Sequence, residues 1–140
     1  MLFDKSKSSC AESQSIVVSE EKGKKHRVNN ASRLPIYQYH IDGDIINDLN
    51  VQKCDYIVEV TKDKPIAFII ELKGSHLSEA CNQIISTIDR FKHKLNGYDI
   101  QPRIIIGKIN THAVNGSEYR RLRKAYPQTR LEVKECTDTV

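Results

Sequence analysis

No apolar run in this 140-residue sequence approaches the ~20 residues that a membrane-spanning helix needs. The opening residues, Met1 to Ser8, lack the apolar core of a secretory signal. The four cysteines (Cys10, Cys54, Cys81 and Cys136) are scattered and form no Cys-x-x-Cys pair, which argues against a zinc site. Cys54 and Cys81 lie within apolar segments and read as small buried hydrophobes. A reducing cytoplasmic setting is therefore expected. There is no Walker loop, no dinucleotide-binding glycine fingerprint and no nucleophile elbow, so those enzyme classes have no support. Charge of one sign is also scarce: 22 Lys and Arg face 18 Asp and Glu, a net +4 that permits a polyanionic partner without demanding one.

What is present suits one α/β domain. The length allows a core that buries roughly two-thirds of the unfolded surface. Residues 1–15 are polar and serine-rich and read as a loose lead-in, leaving 16–140 as the folded unit. Ile16-Val17-Val18 suggests a short strand. The basic run after it, with Lys22, Lys24, Lys25 and Arg27, is broken by Gly23 and suits either a solvated edge or phosphate contact. Residues 35–41 alternate as a half-buried strand and close on Asp42-Gly43. Asp42, Asp44 and Asp48 crowd that connection, mainly as turn residues, and because the segment leads directly into Asp55 one of them is also a candidate to approach a metal there.

The central stretch runs from Cys54 to Gln83. Two β-rich apolar runs, 54–60 and 66–74, flank a polar turn, 61–65, that ends in Pro65. A turn centred on Asp63 places Asp55 opposite Glu71, with Cβ atoms ~5 Å apart. Side chains alternate with period two, so Lys73 shares the face of Glu71. Two like charges this close repel unless a cation lies between them. The second run is apolar on both faces until its end, as in a covered α/β strand. Ser75 reads as the N-cap of a helix carrying Leu77, Cys81, Ile84, Ile85, Ile88, Phe91 and Leu95, with a stop near Gly97. Gln83 flanks that stripe. Residues 102–107 read as a central strand reached by a crossover. Ser117 reads as the cap of a second helix with Tyr119, Leu122 and Tyr126 inside and Arg120, Arg121, Arg123 and Lys124 outside. Residues 130–134 alternate as an edge strand.

An Asp, a turn, a strand ending in Glu71-Leu72-Lys73 and a helix bearing Gln83 resemble the PD-(D/E)XK nuclease superfamily. The likeness covers about residues 54–83, with Cys54 standing where that signature has proline. It implies a restriction-endonuclease-like mixed β-sheet core flanked by helices. It also implies a metal-dependent nuclease cutting phosphodiester bonds in DNA, or RNA, and often working as a homodimer. Asp55 and Glu71 would be ligands for Mg²⁺ or Mn²⁺, joined by the Leu72 carbonyl. Such an ion polarises phosphate oxygens and lowers the pKa of a coordinated water. Lys73 would position that water or stabilise the phosphate, and Gln83 would help orient it. Family members usually begin with a helix that adds an acid, and no early glutamate here sits in a convincing helical pattern. A binding module with little catalysis on the same fold is the alternative, and a protein-interaction domain the third reading.

Overall fold

A computed structural model describes residues 1–109 and 112–140. Among the described residues, eight strands and two α-helices form three layers. The middle layer is a mixed five-stranded sheet, built from β3 (Ile36–His40), β4 (Tyr56–Val60), β5 (Ile66–Lys73), β6 (Asp99–Ile106) and β7 (Arg130–Val133), in that spatial order. The pairs β3/β4 and β4/β5 are antiparallel, and β6 and β7 continue parallel to β5. Helix α1 (Leu77–Arg90) links β5 to β6, and α2 (Ser117–Ala125) links β6 to β7. Both pack on one face. There Ile57, Ala67, Ile69, Ile104 and Ile106 meet Leu77, Cys81, Ile84, Ile88, Tyr119 and Leu122.

The other face carries a second sheet, ordered β1 (Ile16–Glu21), β2 (Lys24–Asn29) and β8 (Glu135–Thr139). Its inward residues Val17, Val28 and Cys136 close over Val58, Phe68, Ile70, Leu72 and Ile105. Period-two alternation thus divides β5 between two cores, odd positions toward the helices and even positions toward the small sheet. This double cover explains why the strand reads as continuously apolar. No helix among the described residues is long and apolar enough to cross a membrane.

Several expectations need correction. Residues 1–15 are not loose. Leu2 is in the core, Phe3 meets Tyr39 and Phe91 edge-on, and Ser8 bridges to Tyr39. Two apolar residues anchor a segment whose composition is otherwise polar. Neither helix is capped by its serine: His76 and Gly116 hold the cap positions, without a side-chain cap bond. Gly74, Ser75 and His76 are spent turning the chain from strand to helix. The first helix ends at Arg90, and the chain continues in turns to Gly97, whose φ of 87° makes the reversal. Strand β3 is buried on both faces rather than half-buried.

Candidate functional site: four carboxyls and three lysines at the end of β5

The β4–β5 hairpin has the expected register, with Tyr56 opposite Ile70 and Ile57 opposite Ile69. One step beyond, the Asp55 N–H donates to Ile70 O at 3.1 Å. The Leu72 N–H donates to Asp55 Oδ2 at 2.8 Å. In an extended strand the N–H and C=O of one residue face the same edge, so the Leu72 carbonyl also faces the Asp55 side. Asp55, Glu71, Leu72, Lys73 and Gln83 line one open cleft of about 330 Å³ at the end of β5.

Glu71 decides how this cleft reads. Only 2 % of it is exposed, and its Oε1 is buried without a hydrogen-bond partner. Burial, reinforced by the Asp55 charge, pushes its carboxyl up to about 9. Asp55 is raised as well, chiefly by burial, with Glu21 and Asp42 adding to the effect. Gln83 Oε1 is a second buried acceptor without a donor in the same cleft. Another buried glutamate offers the contrast. Glu59 accepts from the Leu2 N–H at 2.8 Å and Tyr39 OH at 3.2 Å on Oε1, and from Tyr98 OH on Oε2. Glu59 is satisfied by the fold, whereas Glu71 Oε1 is buried without a donor and the side-chain partner of its carboxyl is a second acid, Asp55. An exposed cross-strand ion pair, the bland alternative for these charges, would not have buried its glutamate.

The donor set fits a hard divalent cation: carboxylate oxygens from two strands, a backbone carbonyl beside them, and a buried oxygen lacking a donor. Lys73 turns to the rim, where its ammonium donates to Glu79 Oε1 at 2.9 Å. Compared with known proteins, the chain matches no family model, no curated protein and no solved structure.

Other residues reach the cleft from the opposite layer. The β1–β2 hairpin pairs Glu21 with Lys24, and Lys22 (φ 49°) and Gly23 (φ 81°) make its two-residue turn. Two left-handed residues fit a turn whose twist matches the strands. Its tip brings Glu21, Lys22 and Lys24 to the cleft wall. Asp42 joins them from the connection after β3, where Lys53 Nζ lies 3.7 Å from Asp42 Oδ1. Asp42 carried a local signal, as one of the acids in a connection that leads directly into Asp55, whereas Glu21 had none and arrives through tertiary packing. The basic run divides. Lys22 and Lys24 reach the cleft, but Lys25 and Arg27 alternate with the buried His26 and Val28 and point away from it. Arg120, Arg121, Arg123 and Lys124 are exposed on α2. That helix begins near the first turns of α1, where Glu118 acts on Cys81.

A second cluster, His26, Cys136 and Asp138, has ligand-type atoms within 4.8 Å of one another. It reads as a tether. Both Asp138 oxygens are already engaged, by His26 Nε2–H and Arg103 Nε at 2.8 Å each and by Arg103 and Arg130 N–H groups at 3.0 and 3.3 Å. Burial pushes the Cys136 thiol up to about 11, so it is not a thiolate. A dication placed there would sit against two guanidinium groups.

Proposed function

We propose that this chain is a magnesium- or manganese-dependent nuclease that hydrolyses phosphodiester bonds in DNA, on a restriction-endonuclease-like core. The reading is carried by Glu71: a buried carboxyl with an unpartnered oxygen, beside Asp55, in a cleft walled by Lys22, Lys24 and Lys73. Asp55, Glu71 and the Leu72 carbonyl would hold the ion. Bound there, it would supply charge neutralisation at the phosphate and ease deprotonation of water.

The chain's own residues do the rest. Lys22 and Lys24 attract the phosphate backbone to the cleft mouth. The Lys73 ammonium, at the rim, offers the donors that Glu79 does not take to phosphate oxygens as charge builds on them. Gln83 presents a buried Oε1 that accepts from an attacking water and fixes its orientation. The Asp55 carboxylate is itself oriented by the Leu72 N–H, so its free oxygen has a fixed direction.

The test is a Mn²⁺ cleavage screen over linear, nicked, flapped and branched DNA. Wild type should cut at least one substrate. Lys73→Ala and Glu71→Ala should each lower the rate at least ~100-fold without altering the circular dichroism spectrum. Undiminished cutting by Lys73→Ala would remove the assigned site. A salt-sensitive DNA complex with no products would favour the binding module instead.

A further inference from the structure

Lys73 leaves β5 on the same face as Glu71, the more deeply buried acid of the cleft. Its ion pair is nevertheless with Glu79, in the first turn of α1, at 2.9 Å. The Gly74–His76 turn folds that first turn back beside the strand end. Lys73 is 24 % exposed and Glu79 52 %, so this pair lies at the rim while Glu71 lies inside. A lysine side chain is a compact charge on a flexible four-carbon stem and can swing between acids on either side. Turned inward, its ammonium would meet the lone pair of Glu71 Oε1 that no donor fills. It would then occupy the space that a cation between Asp55 and Glu71 requires.

We infer that Glu79 is a positioning residue: it anchors the Lys73 ammonium on the α1 side of the cleft and so keeps the cation position from being filled by the protein's own lysine. The inference rests on the cation-site reading above and adds what holds that site open. Two consequences follow from the geometry. The cleft is pre-organised for an ion before any substrate arrives, and the ammonium stays at the rim, where phosphate would meet it. Glu79 thereby acts on cation binding through Lys73 and need not touch the ion.

The test is Mn²⁺ binding to the full chain, followed by the paramagnetic resonance signal of free Mn²⁺, which needs no cleavage. Glu79→Gln should weaken Mn²⁺ binding about fivefold, the upper range for an exposed ion pair. In a Lys73→Met background the same substitution should change affinity less than ~twofold, because no ammonium is left to swing inward. Equal affinity of Glu79→Gln and wild type would overturn the inference. So would an equal loss in both backgrounds, which would show only the field of a missing carboxylate. If wild type binds no Mn²⁺, the cation site itself falls, an outcome told apart because no variant then shows binding. Thermal melts check that each variant is folded.

Discussion

A buried carboxyl with one oxygen lacking a hydrogen-bond donor is costly to a fold, and Glu71 carries that cost at the end of β5. Its carboxyl is raised from 4.5 to about 9 by burial first and the Asp55 charge second. A raised carboxyl means that the folded state holds its proton more tightly than the unfolded chain. Stability from this group is therefore full below about 4.5, falls as pH rises through the interval, and is lost above about 9. Glu71→Gln removes the ionisation and keeps the shape. In chelator it should raise the melting temperature by at least ~3 °C at pH 8 and by much less at pH 4.5. A variant that melts lower than wild type at pH 8 would mean that the ionised Glu71 is stabilised by something other than an added cation. At this scale the sequence was informative where one hairpin decides. Register and period-two alternation bring Asp55, Glu71 and Lys73 to one strand end without any long-range information. Asp42 was legible as an acid in the connection that leads into Asp55, but Glu21 was not, because it belongs to the small sheet and meets Asp55 only across layers. The Lys73–Glu79 pair was equally hidden, since it depends on how three residues turn from strand to helix.

Elements were legible in proportion to the apolar signal they carry. Strands β5 and β6 and helix α1 announce themselves because their inward positions are hydrophobic. Strand β8 does not. Its inward positions are Cys136 and Asp138, and the carboxylate is acceptable only because Arg103 comes from β6 to meet it. Arg103 is 3 % exposed, bonds Asp138 through Nε and Nη2, and stacks its guanidinium over Phe68 at 5.4 Å. This network joins the small sheet to the large one. Burial alone would raise the Asp138 carboxyl, but the His26 hydrogen bond and Arg103 outweigh it and hold Asp138 far below the usual carboxylate range. A lowered carboxyl stabilises the fold above its unfolded pKa, and that stability is lost as pH falls through the lowered value. Asp138→Asn leaves a buried guanidinium without its counter-charge, a change that costs about 3–5 kcal/mol. The expected result is a lower urea midpoint with fast amide exchange across β8 and β2. A midpoint within experimental error of wild type would show that the tether is dispensable.

For the whole molecule, the arrangement of layers decides which charges can act together. The family resemblance leads one to expect an opening helix that adds an acid. Among the described residues the face opposite α1 is covered by the three-stranded sheet, which sends a tight hairpin tip, with Glu21, to the cleft. The basic run that looks uniform in sequence is thereby split between two surfaces. Lys22 and Lys24 join Lys73 at the cleft, while Lys25 faces outward with Glu20 at 4.0 Å and Arg27 shares its face. Binding of a polyanion releases condensed counterions, and each phosphate neutralised adds about 0.9 to the slope of log K against log salt on duplex DNA. If DNA lies across the cleft, Lys22→Ser with Lys24→Ser should lower that slope by up to about two. Lys25→Ser with Arg27→Ser removes the same formal charge from the outer surface. It should shift the slope by less than ~0.5, since a charge not in contact with phosphate acts only through a screened field. Titrations in EDTA between 50 and 200 mM salt, on one short duplex, separate these effects from any cleavage. The two double variants have the same net charge, so a difference between them reports placement. Equal loss from both pairs would mean that DNA reads only the +4 of the chain, and the cleft would lose its claim to the phosphate backbone.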